Sequence, residues 1–303
     1  MTHSCKILLT IFAFSNFIVA LQQTKPEPCP HDAAGFAALQ QRVEAKDPAA
    51  QMALASCYDL GLHVPADGKE SLRWLIEAAN QGYAPAEYEL GRIYLYGRGV
   101  PADYDKALVW EKKAADKGDV RAQRDLALMY ERGFGVSADA AQAAEWNRKA
   151  AAQGHAEAQV HLAKALDQGA GVAKNPDEAR AWYAKAAEKD QPAAQLELAR
   201  KLAEGTDCGG AIHWYTEAAT HGESVAMYEL GKLYLTSKCG PDKNKAFLWL
   251  TIGARFGSKP SAAEASQLEA RLTAAQKQRG KEAAAQWIKD HSGAEQEEDE
   301  EKP

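Results

Sequence analysis

The stretch APAEYELGRIYLYGRGVPADYDKALVWEKKAADKG, residues 84–118, spells a helix, a glycine turn and a second helix. Ala86, Leu90, Gly91, Ile93 and Tyr94 fall on one stripe at helical spacing, and the bare Gly91 admits a close second backbone. Gly97 and Gly99 supply the positive-φ positions that stop this first helix, and Val100 gives the turn an apolar plug. Asp103 is placed to cap the next helix, which carries Ala107, Trp110, Ala114 and Ala115 on one face and ends at Gly118.

Tryptophan extends this pattern along the chain. Trp74, Trp110, Trp146, Trp182, Trp214 and Trp249 are 36, 36, 36, 32 and 35 residues apart. Four residues after each stands a small pair, Ala78-Ala79 in the first unit and Gly253-Ala254 in the last. A fixed period of this length is the mark of a repeat array, because one helix pair cannot bury its apolar stripe and must stack on its neighbours. The units run over residues 47–83, 84–119, 120–155, 156–191, 192–223 and 224–258. Residues 21–46 read as a loop and a capping helix starting near Gly35. Residues 259–290 read as closing helices, with Leu268, Leu272 and Ala275 on one stripe, a break near Gly280, and Trp287 over the last unit.

The shared pattern A-x-x-x-L-G-x-x-Y-x-x-G-x-G-V-x-x-D-x-x-K-A-x-x-W-x-x-K-A-A-x-x-G resembles that of the Sel1-like repeat family, relatives of the tetratricopeptide arrays. The resemblance implies an all-α, α/α right-handed superhelical solenoid of six helix-turn-helix repeats. It also implies an adaptor role in secretion, envelope regulation, motility or host contact, and some members are described as binding or slowly hydrolysing β-lactams. Departures from the pattern are local. The first turn reads Gly61-Leu62-His63-Val64 and keeps one glycine, while the fourth unit has Leu166 in place of the tyrosine. The fifth turn shrinks to residues 205–210 and is read as losing its capping Asp, and the sixth reads Ser237-Lys238-Cys239-Gly240.

Residues 1–20 read as a secretory signal peptide whose apolar stretch, Ile7 to Ala20, is too short to span a bilayer. That implies a periplasmic or secreted protein with no membrane span after cleavage. Four cysteines then remain, Cys29, Cys57, Cys208 and Cys239, an even number that suggests two disulfides. Sequence order alone allows three pairings. Equivalent turns of adjacent repeats lie side by side, which favours Cys208 with Cys239 and leaves Cys29 for Cys57. Bonds of this kind differ from the within-pair staples common in the family.

The net charge is −6, and residues 295–302 alone carry −5 of it. A basic nucleic-acid-binding body is excluded by that balance, and residues 291–303 read as a disordered acidic tail. Signatures of chemistry are absent: no G-x-S-x-G, no H-E-x-x-H, no phosphate loop, no K-T-G, and none of the eleven serines is followed three residues later by lysine. The eight histidines are scattered with no i, i+4 pair. The chain therefore reads as a monomeric, non-enzymatic scaffold without metal or cofactor, and a weak β-lactam-binding hydrolase is the alternative.

Register singles out a binding face on the first helix of each pair. Two residues beyond the motif leucine lie Ser56, Arg92, Leu128, Lys164, Arg200 and Lys232; two before it lie Met52, Tyr88, Arg124, Val160, Leu196 and Tyr228. A basic ladder of Arg92, Lys164, Arg200 and Lys232 would thus border a floor containing Tyr88, Arg124 and Tyr228. Such a groove suits an extended protein or peptide partner that is acidic or presents a free C-terminus. Tyr88 and Tyr228 are also the aromatic platforms a polysaccharide would need.

Overall fold

The computed structural model describes residues 27–205, 207–235 and 239–292. The expected signal peptide and the tail from residue 293 lie outside the described residues. These residues form fifteen α-helices and no strand, divided into two compact units at residues 174 and 175.

The first unit contains α1 (Ala33–Glu44), α2 (Pro48–Leu60), α3 (Gly68–Asn80), α4 (Ala84–Tyr96), α5 (Tyr104–Asp116), α6 (Val120–Arg132), α7 (Ala140–Ala152) and α8 (Ala156–Gln168). Each of α2 to α8 has thirteen residues, about 20 Å of helix at ~1.5 Å per residue. Their starts are set by Asp47, Asp67, Asp103, Asp119 and Asp139, whose carboxylates accept from first-turn amides; Asp103 accepts from Lys106 at 3.0 Å. Gly61, Gly97, Gly133 and Gly169 end the first helices of the pairs in left-handed conformation, with φ from 66° to 75°.

Between the helices the core is small and aliphatic. Leu90, Leu126 and Leu162 are fully buried, and the alanine pairs at 78–79, 114–115 and 150–151 are at most 2% exposed. The residue after the tryptophan is buried too, as Leu75, Glu111 and Asn147, and Glu111 faces Gly91, the small residue after the motif leucine. A Cβ on Gly91 would stand 2.7 Å from a Glu111 carboxylate oxygen. Trp74 and Trp110 are half-buried and Trp146 is buried, and cations lie over all three at 3.7–4.2 Å: Arg73 over Trp74, Lys113 over Trp110, Lys149 over Trp146. The lysine three residues after the tryptophan is therefore part of the motif's packing, at roughly 0.5–1 kcal/mol per exposed pair.

The second glycine of the turn seats the third and fourth repeats on the ones before them. A side chain at Gly135 would collide with the Tyr104 carbonyl at the start of α5, and one at Gly171 with the backbone of Ala140 at the start of α7. In the first repeat His63 takes this position and the left-handed conformation, φ 62°. Its ring stacks on Phe36 of α1 at 4.8 Å and bonds the Pro30 carbonyl at 2.8 Å, so contact with the N-terminal segment offsets the backbone strain. Cys29 and Cys57, both at most 2% exposed, bond the same segment to α2.

The second unit contains α9 (Pro176–Ala187), α10 (Pro192–Glu204), α11 (Cys208–Thr220), α12 (Ser224–Leu235), α13 (Lys243–Arg255), α14 (Lys259–Glu269) and α15 (Ala274–Ser292). Its core runs through Tyr215, Met227, Leu230, Phe247, Leu250, Ile252 and Leu268. Cys208, at the first position of α11, bonds Cys239 in the turn before α13, with Cα atoms 5.5 Å apart. Three expectations are corrected. Asp207 does cap α11, accepting from Gly210 at 2.9 Å, so the short fifth turn keeps its cap. No break occurs at Gly280: the chain bends at residues 270–273 instead, and Gly280 lies inside α15 because Phe247 fills the space a side chain would need, 2.5 Å from its would-be Cβ. Ala275 is exposed, while Leu268 and Leu272 are buried. Trp287 meets Trp249 edge-on at 5.4 Å and closes the unit.

Candidate functional site

The two register rows differ in what they do. Residues two before the motif leucine reach the first helix of the next repeat and are consumed there. Tyr88 is 5% exposed beneath the Arg121 guanidinium of α6, 4.1 Å away, and burial raises its hydroxyl pKa. Arg124, also 5% exposed, pairs with Glu157 of α8 at 2.7 Å. Tyr228 donates to Glu264 of α14 at 3.3 Å. Tyr88 and Arg124 therefore act as joints between repeats, not as an open floor. Tyr228 is half-buried.

Residues two beyond the leucine stay nearer solvent. Lys164 and Lys232 are exposed, Lys232 lying over the Tyr228 ring. Arg92 is half-buried between Tyr88 and Tyr96, with its Nε enclosed and lacking an acceptor. Arg200 pairs with Glu197 at 2.7 Å. Carboxylates interleave with these bases, Glu89 and Asp125 in the first unit and Glu197 and Glu229 in the second, because the position just before the leucine also borders this face. The ladder is thus a mixed-charge surface.

His161 belongs to a closed network on α6, α7 and α8. Arg124 donates to its Nε2 at 3.0 Å, so Nδ1 carries the proton and donates to Glu131 at 3.1 Å; Asn147 donates to the same carboxylate oxygen at 3.0 Å. Burial works most strongly against the Glu131 charge, but the His161 hydrogen bond, the charges beside it and the Asn147 hydrogen bond together outweigh it and hold this carboxyl below its ordinary value. Both ring nitrogens of His161 are thus engaged by neighbouring side chains. Among the described residues no group of His, Cys, Asp and Glu is arranged to hold a metal ion. No helix among them is long and apolar enough to cross a membrane.

The first unit has an open cleft of about 1140 Å³ between its first and second repeats. Met52, Leu72, Leu75, Ile93 and Val100 give it an apolar lining, and Asp59, Asp67, Lys69, Glu89 and Arg98 are its charged members. Its cause is local. Gly99, equivalent to the tightly seated Gly135 and Gly171, has no atom within 4 Å of its would-be Cβ, and the opposing helix start is Gly68. Here the second turn glycine does not meet the helix start of the preceding repeat, as Gly135 and Gly171 do. Beside it, Leu60 and Tyr96, at the C-terminal ends of α2 and α4, are 66% and 52% exposed. Sequence register alone gave no sign of this gap, although Gly68, where later repeats carry Tyr104 and Ala140, was the available signal.

The Sel1 repeat pattern matches residues 48–83, 84–119, 120–155, 156–191, 192–223 and 224–257. The chain belongs to the Sel1 repeat family. Among solved structures it is similar to a protective antigen present in uropathogenic Escherichia coli strains that displays an SLR fold, at 29% identity and a TM-score of 0.74 over 94% of this chain. The match covers 62% of that antigen, so the present Sel1 repeat chain spans under two thirds of its length. A Sel1 repeat protein from Oxalobacter formigenes is similar at 30% identity and a TM-score of 0.64, over 73% of this chain and 93% of that one. No curated protein matches the chain. Membership in the family fits a protein-interaction scaffold, and two disulfides fit an oxidising, extracytoplasmic setting.

Proposed function

We propose that this Sel1 repeat protein is an exported, monomeric, non-enzymatic scaffold, periplasmic or secreted, that holds an extended segment of a partner protein along the groove formed by the first helices of its repeats. The observation that supports this most is the cleft between the first two repeats, with an apolar interior beside exposed Leu60 and Tyr96. Binding energy concentrates where large apolar groups enter desolvated pockets ringed by polar atoms, and contiguous exposed apolar surface marks such sites. Exposed Lys164 and Lys232, with half-buried Arg92 and Arg200, add charge contacts along the same helices and favour an acidic segment or a free C-terminus. Tyr88, Arg124 and Tyr228 keep the supporting role of holding those helices in register.

The test is capture from envelope extract with three forms of the mature chain: unaltered, Ser56→Trp with Leu60→Ser, and Lys164→Glu with Lys232→Glu. Loss of one specific protein with the cleft variant supports the reading. Identical captures with all three would refute it, as would turnover of a chromogenic cephalosporin above the buffer rate.

A further inference from the structure

The joint between the second and third repeats fills the place that the cleft occupies one joint earlier. There Leu95, Ala107 and Met129 are buried together, with Tyr94, Leu108 and Phe134 packed against them. Phe134 also stacks on Tyr104 at 4.9 Å, the rings 13° from parallel. Thirty-six residues back, the same positions hold Asp59, Ser71, Ile93, Tyr58, Leu72 and Arg98, with Gly68 for Tyr104. All of these but Tyr58 line the cleft. Two rings and a leucine are thus exchanged for a guanidinium, a glycine and a carboxylate, and Ile93 is half-buried where Met129 is fully buried. The charges are not used up within the chain. Asp67 caps α3 and Glu89 pairs with Arg121 at 3.8 Å, whereas Asp59, Lys69 and Arg98 have no ion-pair partner among the described residues.

We propose, resting on the scaffold reading above, that the cleft selects its partner segment by an aromatic side chain set between a base and a carboxylate. The partner's ring takes the place over Gly68 that Tyr104 holds in the next joint. Arg98 then covers that ring as Phe134 covers Tyr104, a cation–π contact standing in for the ring stack. The approach is open, because no atom lies within 4 Å of a would-be Cβ on Gly68. Arg98 is exposed and lies over the Tyr96 ring at 5.5 Å, so its guanidinium faces an aromatic group and not a carboxylate. Leu72, Leu75 and Ile93 form the wall against which the ring packs, and covering them removes apolar surface from water. The rim charges fix direction: Lys69, next to Gly68, meets the segment's carboxylate, and Asp59 meets its base. An aliphatic side chain would cover the same wall but forgo the guanidinium contact.

The experiment uses the full mature chain with labelled isoleucine and methionine methyl groups, and two blocked pentapeptides, glycine-lysine-X-aspartate-glycine, with phenylalanine or leucine at X. The phenylalanine peptide is expected to bind about fivefold more tightly than its leucine twin, and its ring current should shift the Ile93 and Met52 methyl resonances. Gly68→Tyr with Arg98→Phe rebuilds the stacked pair of the next joint; it should abolish these shifts while the thermal midpoint holds or rises, whereas Gly68→Ala should keep them. Arg98→Ala, at an exposed site, should weaken the phenylalanine peptide severalfold and the leucine peptide little. Equal binding of the two peptides at the cleft, or indifference to Arg98→Ala, would overturn the aromatic selection and leave segment binding there standing. Shifts from neither peptide, or shifts that survive Gly68→Tyr with Arg98→Phe, would overturn the selection and count against the cleft as the binding site as well.

Discussion

Replacing Glu111 with leucine should stabilise the first unit, and by more as pH rises. Glu111 is fully buried on α5, and neither carboxylate oxygen has a hydrogen-bond partner. Burial first, then Asp125 and Asp119, push its pKa well above the ordinary 4.5, against the opposing pull of Arg92. The folded chain thus keeps a proton that the unfolded chain releases near pH 4.5. Binding more protons when folded means losing stability as pH rises from that value towards the raised pKa, by up to about 1.4 kcal/mol per pH unit. Below pH 4.5 this contribution vanishes, leaving only the cost of an unsatisfied buried group, roughly 1–3 kcal/mol. Leucine fits the position: Leu75 and Leu250 occupy it in other repeats, and Leu250 packs closely against Gly231 as Glu111 does against Gly91. Urea unfolding of the Glu111→Leu and unaltered chains across pH 4.5 to 7.5 measures the difference. Asp125, Asp119, Arg92 and Glu89 are present in both chains, so most of their own titration cancels. A gap that stays constant with pH, or a leucine variant less stable at neutral pH, would refute the reasoning.

Three further outcomes are expected. Cys239→Ser opens a crosslink spanning 31 residues and should lower the stability of the second unit by about 3–4 kcal/mol in the chain-entropy description, read from urea midpoints with and without reductant; a reductant-insensitive unaltered chain would contradict it. Gly280→Ala drives a methyl against Phe247 and should cost about 1–3 kcal/mol through overpacking, despite alanine's better helix propensity, as a fall in thermal midpoint. Gly135→Ala should destabilise clearly more than Gly99→Ala, because both positions have positive φ but only Gly135 meets backbone; equal losses would mean the first joint is not open.

The fold was legible because its signals are local and periodic: the tryptophan spacing, the paired alanines, the turn glycines and Asp103 all report contacts made within one repeat or with the next. Cys208 and Cys239 could be matched from register for the same reason. Binding residues were harder. One face of a helix borders both solvent and the neighbouring repeat, and a shift of four residues, one turn, separates exposed Lys164 from buried Val160. Tyr88 and Arg124 look like surface groups by type, yet stacking encloses them. The Gly280 reading failed because glycine breaks helices in isolation, whereas here it makes room for Phe247. The cleft depends on a contact that Gly99 does not make, and Gly68, where later repeats carry Tyr104 and Ala140, is its trace in the sequence.

That missing contact also divides the labour of change along the first unit. At the joints made by Gly135 and Gly171, the turn and the preceding helix start constrain each other, so variation there would unseat a repeat. Around Gly68 and Gly99 no such coupling exists. Side chains at Ser56, Leu60, Gly68 and Tyr96 can be exchanged with little consequence for the stack, leaving this joint free to drift towards a new partner while its neighbours preserve the architecture.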